Sequence, residues 1–213
     1  DNAGRKTTDT DPLGGITRFG YAKDDKLGRV TDPNGNATEY NYDAYTGLLA
    51  EQVSPDTGTT SYDYDSNNNL LSQTDAVGQT TSFEYDPLNR VEQINYSDGQ
   101  AVAYTYDVGT FGKGRLGEIA EDDVTTDFTY DSRGNVTRRT QSATTGPSLS
   151  VQYSYTPMGN LEQMVYPSGA VVSYAYSHDR LSSIAVNGQT VLDNIQYEAF
   201  GPMKSWQWGS GQT

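Results

Sequence analysis

One phrase, repeated along the chain, constrains the fold more than any other feature. Thr38-Glu39-Tyr40-Asn41-Tyr42-Asp43 returns as Tyr62-Asp63-Tyr64-Asp65, Phe83-Glu84-Tyr85-Asp86, Tyr104-Thr105-Tyr106-Asp107 and Phe128-Thr129-Tyr130-Asp131. Tyr153-Ser154-Tyr155, Tyr174-Ala175-Tyr176 and Ile195-Gln196-Tyr197 continue it, and Phe19-Gly20-Tyr21 precedes it. The second aromatic falls at 21, 42, 64, 85, 106, 130, 155, 176 and 197, a spacing of 21 to 25 residues. A fixed period of this size marks a repeat array, whose units bury their apolar faces only against neighbours. The period runs without a break, so residues 1–213 read as a single array.

Within a repeat, Thr38, Tyr40 and Tyr42 alternate with Glu39 and Asn41. That is the two-residue period of a half-covered strand. A residue tolerant of positive φ follows the second aromatic, in most repeats four positions on: Asp25, Thr46 with Gly47 next, Asn68, Asn89, Gly134, Gly159, Asp179 and Gly201, with Gly114 after an insertion. Gly, Asn and Asp enter the left-handed region at low cost. The Asp after the Tyr can accept backbone N–H bonds in an Asx-turn, so a tight hairpin is expected there.

About six residues past the Tyr the return strand opens on an apolar residue, with another three later: Leu27/Val30, Val91/Ile94, Leu116/Ile119, Leu161/Met164, Leu181/Ile184 and Met203/Trp206. A plain strand repeats a face every two residues, so the interval of three predicts a β-bulge. A second turn stands seven residues before the next Tyr, at Gly14, Gly35, Gly78, Gly99 and Gly169. Two strands per repeat over nine repeats predict eighteen strands. At about 4.8 Å per strand they would make a sheet roughly 85 Å wide, and open sheets beyond about 10 strands curl.

Composition narrows the partners. Fourteen basic residues against twenty-eight acidic ones leave a net charge of −14, which repels nucleic-acid backbones and anionic lipid. Hydrophobic content of 34% would suit a disordered chain. Seventeen tyrosines and five phenylalanines at regular intervals argue for folding instead, since each aromatic buries roughly 150–250 Å². There is no cysteine and one histidine, too few for a thiolate or histidine metal site. No cofactor is expected. If the period is carried outward, Asp1 stands where an Asp follows a Tyr and Gly211 stands seven before a Tyr that does not come. The array therefore reads as a piece of a longer one, cut within repeats at both ends, with raw sheet edges open to self-association.

Tyr85-Asp86-Pro87-Leu88-Asn89-Arg90-Val91 and Tyr130-Asp131-Ser132-Arg133-Gly134-Asn135-Val136 are the best copies of the unit. Tyr-Asp, then Gly or Asn with a basic or apolar residue, then Asp-Pro-x-Gly, resembles the YD repeats of the Rhs family over the whole chain. The repeat-defining residues are Tyr42, Asp43, Tyr64, Asp65, Tyr85, Asp86, Tyr106, Asp107, Tyr130, Asp131, Gly134, Tyr155, Gly159, Tyr176 and Tyr197. Departures are Ile195 for the first aromatic, Ser177 and Glu198 for the Asp, and the turn around His178. The resemblance implies an all-β array of hairpin repeats in a curved sheet, part of a spiral hollow shell. It implies a secreted or cell-surface setting. In bacterial members the shell encloses a toxic C-terminal domain, so flanking repeats and that domain are the implied partners. An adhesin-like array binding carbohydrate or another cell is the alternative.

Candidate sites are few. His178 lies between Ser177 and Asp179, and consecutive residues cannot converge as a catalytic triad. Asp65-Ser66-Asn67-Asn68-Asn69 opens like a calcium loop but has Leu70 where such a loop needs glycine. Glu121-Asp122-Asp123 reads as a turn. Asp11-Pro12-Leu13-Gly14 and Asp32-Pro33-Asn34-Gly35 resemble the paired motifs of the family's aspartyl autoprotease. Their separation is one repeat, however, and Gly15 and Asn36 replace the large apolar residues of that pattern, so both read as turns. Trp206 and Trp208 could form a sugar platform; Trp206 also falls in the apolar slot of Ile94. No catalytic or metal residue is expected, and the array reads as structural.

Overall fold

The computed structural model describes residues 1–209; Gly211 lies outside them. Apart from one 3-10 turn at Lys23–Asp25, its regular structure is strand. Two compact units divide the chain, Asp1–Ala101 and Val102 onward.

The first unit carries β1 (Thr8–Thr10), β2 (Ile16–Tyr21), β3 (Leu27–Thr31), β4 (Ala37–Tyr42), β5 (Leu49–Ser54), β6 (Gly58–Tyr64), β7 (Leu70–Thr74), β8 (Thr80–Tyr85) and β9 (Val91–Asn95). Each pairs antiparallel with the next in chain order. The second unit carries β10 (Ala101–Tyr106, from Val102 on), β11 (Leu116–Glu121), β12 (Val124–Tyr130), β13 (Val136–Ala143) and β14 (Leu149–Tyr155). It continues through β15 (Leu161–Val165), β16 (Val171–Ser177), β17 (Arg180–Val186), β18 (Gln189–Tyr197) and β19 (Met203–Trp208), paired in the same way. The expected hairpin meander is therefore present in both units. The short β1 brings the described strands to nineteen, one above the expected number.

Every return strand is bulged where the interval of three required it. Tyr85 faces Val91, Glu84 faces Gln93 and Phe83 faces Ile94, so Glu92 is passed over. The same shift occurs at Tyr21, Tyr42, Tyr64, Tyr106, Tyr130, Tyr155, Tyr176 and Tyr197. The skipped residue puts Val91 and Ile94 on the same face as Tyr85 and Phe83. Rows then run across neighbouring strands, as in Phe19–Val30–Thr38 and Tyr153–Met164–Val172.

This packing is lateral and one layer deep. Among the described residues, Val102 is the only buried apolar side chain and Thr126 the only buried polar one. The chain exposes 14042 Å², where a compact monomer of its 23.3 kDa would expose roughly 9,700 Å². Repeat-to-repeat contacts must therefore supply what an enclosed core supplies elsewhere.

Candidate functional site

The recurrent residues build two devices, a turn and a tie. In the turn, the Asp after the Tyr accepts two backbone N–H bonds on one oxygen. Asp65 Oδ1 takes Asn67 N and Asn69 N, both at 2.8 Å. Asp131 Oδ1 takes Arg133 N and Asn135 N, and Asp86 Oδ1 takes Leu88 N and Arg90 N. The second oxygen holds the fifth residue's side chain: Asn69 on Asp65, Asn135 on Asp131, Arg90 on Asp86. The backbone closes as a type I turn followed by a left-handed residue, with Asn68 N donating to Asp65 O. Asn68, Asn89, Gly134 and Gly159 hold φ of 68°, 60°, 90° and 91°.

These bonds stabilise the charged carboxylate. The Asn69 side chain holds Asp65 below the usual carboxylate range, and Asn135 and Asn36 do the same for Asp131 and Asp32. For Asp43 and Asp86 the leading cause is a backbone N–H, from Thr46 and Arg90. Around Asp43 the turn is one residue longer, so the left-handed position falls on Gly47 at 69°. After Tyr106 the insertion is spanned by Asp107, whose N–H reaches Arg115 O and whose Oδ1 accepts Gly114 N.

The tie is made by the second tyrosine. Tyr85 Oη donates to Leu70 O at 2.9 Å, Tyr64 to Leu49 O at 3.0 Å and Tyr42 to Leu27 O at 2.9 Å. Tyr21 ties to Lys6, Tyr130 to Leu116, Tyr155 to Val136, Tyr176 to Leu161 and Tyr197 to Leu181, over 2.6–2.9 Å. From Tyr42 on, these acceptors open the preceding return strand at its bulge, as its first residue or, for Leu181 in β17, its second. The ladder between repeats stops short of it, at Ser72–Ser82 in the pairing of β7 with β8. The bulge strands this carbonyl, and the next repeat's hydroxyl satisfies it. Burial pushes the hydroxyls of Tyr64, Tyr85, Tyr130, Tyr155 and Tyr176 above the ordinary tyrosine value. They remain neutral donors.

A cation reinforces several ties. Arg5, Lys26, Arg115 and Arg180 each directly precede an acceptor residue and lie 4.4, 5.2, 5.7 and 4.9 Å from the ring centres of Tyr21, Tyr42, Tyr130 and Tyr197. Lys26 also reaches Gly47 O in the next turn, and Asn69 Nδ2 reaches Asn89 Oδ1.

The other sequence candidates resolve into the same frame. The calcium-like run has its Asp65 oxygens occupied by Asn67 and Asn69. His178 and Asp179 are the two left-handed residues, at 49° and 59°, of a two-residue hairpin closed by Ser177 and Arg180. Asp122 occupies the tip of the expected turn between Glu121 and Val124. Asp11 and Asp32 cap their own turns through Gly15 N and Asn36 N. A Cβ on Gly15 would collide with the Asp11 carboxylate and approach Pro33 to 3.1 Å, which explains the glycine there. At the last turn, Phe200 rather than Gly201 takes the positive φ, at 59°. Trp206 and Trp208 meet edge to face at 6.5 Å and are 42% and 49% exposed. The shift between β18 and β19 leaves Trp206 outside the packed slot that Ile94 fills.

Sequence reasoning misses the tie, although a signal for it exists. The second aromatic is Tyr in every repeat, while the first is Tyr, Phe or Ile. Only a hydroxyl requirement separates those two columns.

The RHS Repeat family model matches residues 45–76 and 64–101. No curated protein matches. Among solved structures, "Crystal Structure of TcdB2-TccC3" is similar at a TM-score of 0.80 and 17% identity, over 99% of this chain and 13% of that one. The Photorhabdus luminescens Tc holotoxin pore is similar at 0.77 and 16%, over 92% of this chain and 11% of that one. A second TcdB2-TccC3 structure, with TEV, matches at 0.77 and 13%, over 97% and 12%. The chain thus spans little more than a tenth of the length of the structures it matches, and the likeness is one of fold. The family model matches residues 45–101 in the first unit, and the same strand, bulge and tie recur outside that stretch in both units.

Proposed function

We propose that this array is a non-enzymatic wall segment of a secreted hollow shell that encloses a toxic C-terminal domain of the same protein. The observation that carries the reading is the one-layer construction. Strands are joined by ladders and hydroxyl ties, almost no side chain is buried, and the recurrent polar groups are consumed in turns. A sheet built this way can extend by adding repeats without needing a core on either face. The resemblance to Rhs proteins supplies the enclosed domain and its secretion, and the Tc toxin structures supply a fold of the same kind.

Limited proteolysis of the full-length protein tests it. The C-terminal domain should resist digestion while the wall is folded and be cut rapidly once mild denaturant opens the wall. Equal cleavage rates before and after opening would overturn the reading.

A further inference from the structure

The two rims of the first unit are closed to different degrees. At the rim of the turns that follow the second tyrosine, every gap between neighbouring strands is bridged, alternately by a turn and by a tie from Tyr21, Tyr42, Tyr64 or Tyr85. Bonds from turn to turn add to this: Lys26 Nζ reaches Gly47 O, and Asn67 and Asn69 reach Asn89 Oδ1. The opposite rim holds the turns at 11–15, 32–36, 54–58, 75–79 and 96–100. There only every second gap is closed, by the turn itself. In the other gaps the ladder stops two or three residues short of the strand's start, at Arg18–Thr31, Glu39–Val53, Ser61–Thr74 and Ser82–Asn95. Among the described residues no hydrogen bond or ion pair joins one of these five turns to the next. Where they approach each other, Gly15 stands beside Pro33 and Gly58 beside Ala76, contacts individually worth little. Between the turns at 75–79 and 96–100 lies an open space of about 540 Å³. The form of the rim turn sets this difference. In the second unit, two-residue hairpins at Asp122–Asp123 and Asn187–Gly188 let the ladder run out to the rim. Strands β12 and β13 pair as far as Val124–Ala143 and Asp123 O then takes Thr144 N, while Asn187 N donates to Val171 O.

We propose that the first unit opens and closes like a fan, pivoting on the rim of the tyrosine ties while the opposite rim lengthens and shortens. Spreading the untied rim breaks no ladder bond, because the ladder has already ended there. Spreading the tied rim would leave the carbonyls of Leu27, Leu49 and Leu70 without their donors, which is costly for a half-buried acceptor. Motion is therefore directed to one rim, and the ties set the pivot. The device belongs to the array itself and stands whether or not the array walls a shell.

Double electron–electron resonance on the whole chain tests it. The sequence has no cysteine, so paired cysteines carry nitroxide labels at chosen turn tips. Asn34→Cys with Val77→Cys spans the untied rim, and Tyr45→Cys with Leu88→Cys spans the tied rim; all four side chains are exposed. Each pair lies four strands apart, roughly 19 Å at about 4.8 Å per strand, so two equally rigid rims would give equal widths. The distance distribution of the untied pair should be at least twice as wide as that of the tied pair. Tyr64→Phe with Tyr85→Phe removes both ties between residues 45 and 88, and should widen the tied pair's distribution toward the untied one. The comparison of rims with both ties intact stands by itself should that double variant fail to fold. Equal widths for the two rims, or a tied-pair distribution that stays narrow in a folded Tyr64→Phe/Tyr85→Phe chain, would each overturn the proposal.

Discussion

Two regions of the repeat serve the same sheet, and only one of them varies freely. The turn after the second tyrosine takes several forms. At Asp65–Asn69 it is a type I turn with a left-handed residue; at Ser177–Arg180 it is a two-residue hairpin; after Tyr106 it is a loop reaching Arg115. The tie is made across all three. Tyr85 reaches Leu70, Tyr197 reaches Leu181 and Tyr130 reaches Leu116, at 2.9, 2.9 and 2.6 Å. The long loop before Leu149 stretches the sequence separation to 19 between Tyr155 and Val136, yet that bond also forms at 2.9 Å. A turn only has to reverse the chain, and many backbone forms do so. A tie has to meet one stranded carbonyl, and only a phenol at that point reaches it.

The largest effect should come from forcing a turn where its geometry is strict. Gly159 holds φ of 91°, and a Cβ added there would have nothing within 4 Å, so Gly159→Val isolates the backbone cost. It should lose about 1–3 kcal/mol. Gly134→Val should lose as much or more, because its Cβ would also meet the Arg115 guanidinium. Ser132→Val, on the same turn, should cost about 0.5 kcal/mol or less. Urea midpoints of the three variants check the order. Equal midpoints would mean that the left-handed position matters no more than its neighbours.

Next comes the tie. Tyr85→Phe keeps the ring and leaves Leu70 O without its donor, at a cost of about 1 kcal/mol. The first aromatic offers the contrast: Tyr62→Phe should be near neutral, since Phe19, Phe83 and Phe128 already occupy that column. The comparison sharpens with alkali. Burial raises Tyr85, so its stabilising contribution is whole below the unfolded value near 10. It is lost as pH rises through the raised folded value. Melting temperatures of wild type should therefore fall above pH 10 more steeply than those of Tyr85→Phe. Parallel curves would remove the hydroxyl from the account.

Much of this frame is legible in the sequence. Alternation around Tyr42 marks a strand, Gly134 and Asn68 mark left-handed corners, and the interval from Val91 to Ile94 requires a bulge, all of which the strand register bears out. Those are local demands, written within a few residues of where they act. What stays hidden depends on neighbours. The tie joins atoms mostly 14 to 16 residues apart, and only the contrast between two aromatic columns hints at it. Phe200 taking the left-handed position beside Gly201 shows the opposite failure, in which the permissive residue is present and the chain turns one position earlier.

The smallest effect is a gain. Thr156 stands where the other regular turns have aspartate, and its backbone closes the same turn through Gly159 N and Asn160 O. Its hydroxyl accepts only Asn160 N, at 3.2 Å, whereas Asp65 and Asp131 take two backbone N–H groups and an asparagine side chain. Thr156→Asp should add the bond to Met158 N and bring Asn160 onto the second oxygen. Because Thr156 is only half-buried, the gain should be a few tenths of a kcal/mol, within the range of ordinary surface changes. Its sign with pH follows from its neighbours. Aspartates in this turn have depressed values in the fold, so the added stability is present above the unfolded value near 3.9. It disappears as pH falls through the depressed one. A Thr156→Asp chain that melts higher than wild type at pH 7 and level with it at pH 2 would identify the carboxylate as the source. A gain that survives at pH 2 would trace to backbone preference at that position instead.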